Sequence, residues 1–140
     1  TLPVPLIVGF AKAVEITKND QYGRNKRLLF FRNLLLSGLK KNISGLIVNG
    51  SIDQRLPHNL NITFPGVKGS QLHGQLRRFI FCTSGSACSN GDASHVLQEI
   101  GLCKKDAEAS IRMSIGRDTT KKDINKAIDI ITNIVINLRQ

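Results

Sequence analysis

A thiol at the centre of a run of small residues is the feature of this sequence best suited to covalent chemistry. Residues 83–91 read TSGSACSNG, in which seven of nine are Gly, Ala, Ser or Thr and Cys88 sits in the middle. Such a run can neither bury much apolar area nor hold a strand by itself, so it is predicted to be a mobile surface loop. A cysteine presented on a loop is a candidate nucleophile, because its thiolate attacks electrophilic centres and loops carried by a rigid scaffold are where chemistry tends to be placed. The competing reading is a free cysteine packed as a small apolar side chain, and composition alone leaves both open. Cys82, Cys88 and Cys103 are odd in number, form no CxxC and have no histidine at zinc-finger spacing, so neither a disulfide framework nor a metal site is indicated. His73 and His95 have no nameable donor or acceptor partner and read as helix-packing or surface residues rather than bases.

At 140 residues the chain is one domain by size, long enough to bury roughly two thirds of its unfolded surface. Its net charge of +10 is spread over small clusters: Arg24, Lys26 and Arg27; Lys40 and Lys41; Arg77 and Arg78; Lys104 and Lys105; Lys121 and Lys122. Clusters of this kind can bind nucleic acid or an acidic protein. With one tyrosine, no tryptophan and no RNP, KH or zinc-finger pattern, there is no base-stacking platform, and nucleic acid is disfavoured. Solvated helix ends are the simpler explanation of the charge. The longest apolar stretch, Leu28 to Leu36, is interrupted by Arg32 and Asn33, so no membrane span is expected. The chain opens on Thr1, without Met or a signal-peptide pattern, and is expected to be a piece of a longer protein from a reducing compartment.

The elements that must position these residues follow from periodicity. Apolar residues at three-and-four spacing from about Val4, resumed by Leu28, Phe31, Leu35 and Leu39, predict one long helix or two nearly collinear ones, with Gly23 as the weak point. Leu46–Asn49 is a short β-rich run ending at an Asn-Gly turn, and NLNITF (residues 59–64) alternates as a half-buried strand does. Residues 69–78 carry Leu72 and Leu76 at i, i+4, predicting a short helix, and residues 79–82 a buried strand. Asp92 or Ser94 caps a helix closed by Gly101, and residues 104–109 form a short polar helix or turn. Ile111, Met113 and Ile115 alternate with Arg112, Ser114 and Gly116, so this strand has an apolar face and Arg112 points away from the core. The last helix is the clearest, with Thr119 or Thr120 as cap, Asp123 in its first turn and a stripe from Ile124 to Leu138. The predicted fold class is α+β: a small antiparallel or mixed sheet of about four strands, covered on one face by a long N-terminal and a long C-terminal helix.

Three segments, LPHNLNITFPGVKG (residues 56–69), TSGSACSNGDASHVLQEIGL (83–102) and SIRMSIGRDTTKKDI (110–124), occur in this order and spacing. The chain resembles, from Thr1 to its end, the C-terminal small domain of cysteine desulfurases of the class-V aminotransferase group, the bacterial iron-sulfur-assembly type. The resemblance implies the C-terminal domain of a fold-type I transferase that uses pyridoxal 5′-phosphate (PLP) to convert L-cysteine to L-alanine. It assigns Cys88 as the nucleophile that becomes a persulfide and passes its sulfur to an acceptor or scaffold protein, and small neighbours on both sides suit that travel. It assigns Arg112 to the substrate carboxylate, which a planar fork of donors matches in two-point contact, against the alternative of a surface ion pair. It places Thr1 where a neighbouring subunit hydrogen-bonds the cofactor phosphate across a homodimer interface, against the alternative of a frayed terminus.

In that family the PLP-bearing lysine and the groups around the pyridine ring belong to a preceding large domain, so residues 1–140 are expected to be a single domain that is inactive alone. The implied setting is the cytoplasm, or an organelle matrix if the source is eukaryotic, with no membrane partner. The run before the loop, LRRFIFCT, is about a residue longer than is usual in the family, and Cys82 is an additional thiol there. A stand-alone basic binding module, for an acidic sulfur acceptor or nucleic acid and without catalysis, is the rival expectation.

Overall fold

The computed structural model describes residues 1–80 and 93–140. They form α1 (Val4–Asn42), β1 (Ile47–Val48), β2 (Asn59–Thr63), α2 (Gly69–Leu76), α3 (His95–Glu99), α4 (Lys104–Glu108), β3 (Ser110–Ser114) and α5 (Lys121–Arg139). The three strands make one antiparallel sheet in the order β1-β2-β3. The α+β class and the two long helices stand as expected.

Alternation decides which way each strand residue points. In β2 and β3, Leu60 pairs with Met113 and Ile62 with Ile111, so all four share one face; they are nearly inaccessible to water. Onto that face pack Leu28, Phe31, Leu35 and Leu39 of α1, Leu72 and Leu76 of α2, and Ile124, Ile128, Ile131, Ile134 and Val135 of α5. At about 1.5–3 kcal/mol for each fully buried large aliphatic or aromatic side chain, this cluster is the main source of stability. The opposite face carries Asn61, Thr63, Ser110, Arg112 and Ser114.

α5 starts as its sequence demands. The Thr120 hydroxyl accepts from the Asp123 amide at 3.2 Å, while the Asp123 carboxylate accepts from the Thr120 amide at 2.9 Å. The same carboxylate accepts from the Thr120 hydroxyl, and these hydrogen bonds hold Asp123 below the usual carboxylate range. At the other end Arg139 donates to the carbonyls of Ser44 and Pro65, pinning the end of α5 to the turns after α1 and β2.

The first of the two alternatives for α1 is found, and one strand expectation needs correction. α1 is one helix through Gly23, yet the apolar residues at the start of its periodic pattern do not reach the core: Leu6 and Phe10 are each 73% exposed, and burial begins only at Leu28. The buried strand expected over residues 79–82 is not formed at Phe79 and Ile80. Both of their amides donate to the Leu76 carbonyl, closing the end of α2 as a turn and leaving Phe79 exposed, while residues 81 and 82 lie outside the described residues. The sheet therefore has three strands among the described residues rather than about four.

Where α2 meets α4 the approach is so close that a Cβ on Gly69 would collide with the Glu108 carbonyl group, which is main chain and cannot swing aside. Gly69→Ala is therefore expected to destabilise the protein by about 1–3 kcal/mol. Gly74→Ala, on the same helix with nothing within 4 Å of the added methyl, is expected to be neutral or stabilising by up to about 1 kcal/mol. Urea unfolding of the two variants checks the contrast.

Candidate functional site

The polar face of the sheet is built from residues that a chain of alternating strands sends away from the core. Asn49, just beyond β1, donates its backbone amide to the Asn61 carbonyl at 3.0 Å, which seats its side chain over β2. Its Nδ2 donates to Asn61 Oδ1 at 2.9 Å and to Ser110 Oγ at 3.1 Å, and its Oδ1 accepts from the Thr63 hydroxyl at 3.0 Å. Thr63 and Ser110 hydroxyls lie 2.7 Å apart, and Ser110 Oγ is also 2.7 Å from the Asp106 carbonyl. Asn49, Thr63 and Ser110 are all buried, so these bonds replace the water they lose. Two hydroxyl protons are shared among these three oxygen contacts, so the two hydroxyls must be oriented in concert.

Arg112 stands beside this network. It is exposed on the polar face, with Asn61 as its Cα partner on β2. Among the described residues no group accepts a hydrogen bond from its guanidinium, and the ion pair recorded there is Lys12 with Glu15, far along α1. The outward direction read from the alternation of β3 is thus found, and among the described residues no surface ion pair engages Arg112. A cation on a strand fixed by main-chain pairing with β2 and by the buried hydrogen bonds of Ser110 can receive an anionic group in a defined orientation.

Cys88, Cys82 and the loop of residues 83–91 lie outside the described residues. Thr1 is exposed ahead of α1. Of the two expected caps of α3, Ser94 accepts from the Leu97 amide at 3.5 Å and Asp92 lies outside the described residues, and Cys103 is an exposed free thiol. A groove of about 340 Å³ runs between Ile80, Ser114, Asp123, Lys126 and Ile130, and Arg112 does not line it. No cluster of three or more metal-ligating side chains occurs among the described residues, and no helix there is long and apolar enough to cross a membrane.

Sequence reasoning missed the Asn49, Asn61, Thr63 and Ser110 network. Its signal was present in the polar alternate positions of NLNIT and in the Asn-Gly pair, but only the register shows that they converge. Arg32 was also unforeseen: it lies on the buried stripe of α1, 5% exposed, with Nε and Nη2 at 3.3 and 3.2 Å from Asn33 Oδ1. Nearby, Arg55 donates to the carbonyls of Asn49 and Ser51, bracing the segment between β1 and β2, and burial and then Arg32 lower its pKa.

The aminotransferase class-V family matches residues 1–127. The cysteine desulfurase IscS of Vibrio vulnificus is 42% identical over 99% of this chain and 34% of its own length. That of Pasteurella multocida is 42% identical over 100% of this chain and 35% of its own length. A solved NifS-like protein superposes with a TM-score of 0.83 at 28% identity, over 99% of this chain and 35% of the other. The chain spans about a third of the length of these relatives.

His73, on α2, supports the strand that carries Arg112. Its Nε2 lies 3.3 Å from the Glu108 carbonyl, two residues before β3 begins at Ser110. Burial lowers its pKa, and the Glu108 and Ser110 backbone only partly offsets this. Between that lowered value and the unfolded value of about 6.5 the unfolded chain binds more protons, so stability should fall as pH drops below about 6.5. His73→Gln should flatten the dependence, as read from urea midpoints at several pH values across that window.

Proposed function

This chain belongs to the class-V aminotransferase family, and we propose on that footing that it is the small domain of a PLP-dependent cysteine desulfurase. The parent would take L-cysteine to L-alanine and hold the sulfur as a persulfide on Cys88. The observation that carries the reading is Arg112: a guanidinium on the outward face of a strand, with no acceptor among the described residues and a rigid polar network behind it. Sequence similarity to named cysteine desulfurases over essentially the whole chain supports the same reading and speaks against a stand-alone basic module.

The chain's own residues do not fit the role of covalent cofactor anchor. Every lysine is exposed at the surface, whereas a lysine that carries PLP works desolvated and activated in a pocket. PLP is accordingly assigned to the rest of the parent, where it would supply the electron sink for the substrate. This chain would bind and orient the substrate and receive the sulfur. Arg112 holds the α-carboxylate in two-point contact, which fixes the direction of the side chain to be cut. The Cys88 thiolate forms an S–S bond to the substrate sulfur while the Cβ–S bond breaks. The bonding pair stays on carbon, and protonation there gives the methyl group of L-alanine.

Thr1 is proposed as a phosphate contact to a second subunit, in keeping with a homodimeric parent. A sulfur-acceptor or scaffold protein is the proposed recipient of the persulfide, and the cytoplasm or an organelle matrix the proposed setting.

In the full-length parent, Cys88→Ser should still bind PLP and L-cysteine but leave no persulfide on the protein. Mass spectrometry should show a gain of about 32 daltons, one sulfur atom, on the Cys88 peptide of the wild type and of Cys82→Ser and Cys103→Ser. The gain appearing on Cys82 in place of Cys88 would sink the assignment. Arg112→Ala loses a charge-assisted contact worth roughly 2–5 kcal/mol, so the apparent KM for L-cysteine should rise tens-fold to thousands-fold.

A further inference from the structure

Arg112 does not stand alone on its face of the sheet. Asn61 is its direct partner across the antiparallel pair, and side chains so placed have Cβ atoms about 4.5–5.5 Å apart. The Asn61 amide presents its oxygen to Asn49. Its Oδ1 accepts from Asn49 Nδ2 at 2.9 Å, and Asn49 is itself buried and held by Thr63 and Ser110. With Asn49 in this orientation, turning the Asn61 amide over alone would set two NH2 groups against each other, so Nδ2 faces away from Asn49. Among the described residues no group accepts from that Nδ2 or from the Arg112 guanidinium.

Two neighbouring donors, one charged and one neutral, call for an acceptor-only group with more than two lone pairs. A carboxylate is that group: the guanidinium fork takes two of its roughly four acceptor sites and leaves others for a third donor. We infer that Asn61 is a second substrate-binding residue, whose Nδ2 donates to the α-carboxylate of the amino acid held by Arg112. The inference rests on the desulfurase reading and adds to it a residue that carries no charge. A neutral donor strengthens the grip on a carboxylate without repelling Arg112, whereas an aspartate at the same place would occupy the guanidinium itself and exclude the substrate.

The test uses the PLP-loaded, full-length parent, with Asn61→Asp, Asn61→Ala and Arg112→Ala beside the wild type. The dissociation constant of the product L-alanine is read by calorimetry, and KM and kcat for L-cysteine by turnover. Asn61→Asp keeps the acceptor that Asn49 needs, so its melting temperature should stay close to the wild type. It should raise both the L-alanine dissociation constant and KM by roughly tenfold or more, with kcat changed far less. Asn61→Ala should raise them several-fold. In the wild type, independently of how any variant folds, the side-chain amide resonance of Asn61 should shift as L-alanine saturates the protein. If that resonance stays in place at saturation, or both Asn61 variants bind L-alanine normally while Arg112→Ala does not, the inference is overturned and the role of Arg112 survives. If Arg112→Ala also binds normally, the substrate-side reading falls and this inference falls with it.

Discussion

Leu60 facing Met113 and Ile62 facing Ile111 are the contacts on which the rest of this structure depends. Strand side chains alternate with a period of two, so a slip of one residue in this pairing would send Arg112 into the core and turn Met113 or Ile111 to water. The core cluster forbids it. α1 and α5 cover only the apolar face, and their packing therefore selects the single register in which the polar face can exist. Placement of the one candidate substrate cation is a by-product of hydrophobic burial on the far side of the same strands.

The polar face then adds a second kind of restraint. Asn49, Thr63 and Ser110 come from three separate stretches, and each would be expensive to bury without the others. Satisfied together, they make a directional network that disfavours even small sliding of one strand on another. His73 and Ser110 tie the start of β3 to α2 and α4, so the backbone beneath Arg112 is braced from its N-terminal end as well. A long flexible side chain on so constrained a base loses less freedom on binding than it would on a loop.

Much of this was legible in the order of residues. The stripe of α5, its Thr120–Asp123 cap and the alternation that turns Arg112 outward are local patterns, and local patterns survive into the fold because burial agrees with them. Phe79 and Ile80 were misread for a physical reason. A short apolar run has no resolvable period, and here the carbonyl of Leu76 was available to take both amides at the end of a helix. The convergence of Asn49 and Asn61 on one face was not legible because Asn is most often a turn residue. Only non-local pairing makes these two a hydrogen-bonded pair. The chemistry of Cys88 came from composition and resemblance, and its placement falls outside the described residues.

The first part of α1 sets a limit on how the domain unfolds. From Val4 to Arg27 no side chain is buried, no side chain caps the start, and Gly9 and Gly23 touch nothing outside the helix. Those turns bury no side chain in the core that begins at Leu28, although Arg27 at their end donates to the carbonyls of Arg117 and Thr119, and a helical stretch of that length with so little tertiary support is marginal in water. On its own, the domain is thus two cooperative units rather than one. Helical signal would be lost in a shallow slope before the core melts, and a calorimetric enthalpy would disagree with the van't Hoff value taken from circular dichroism.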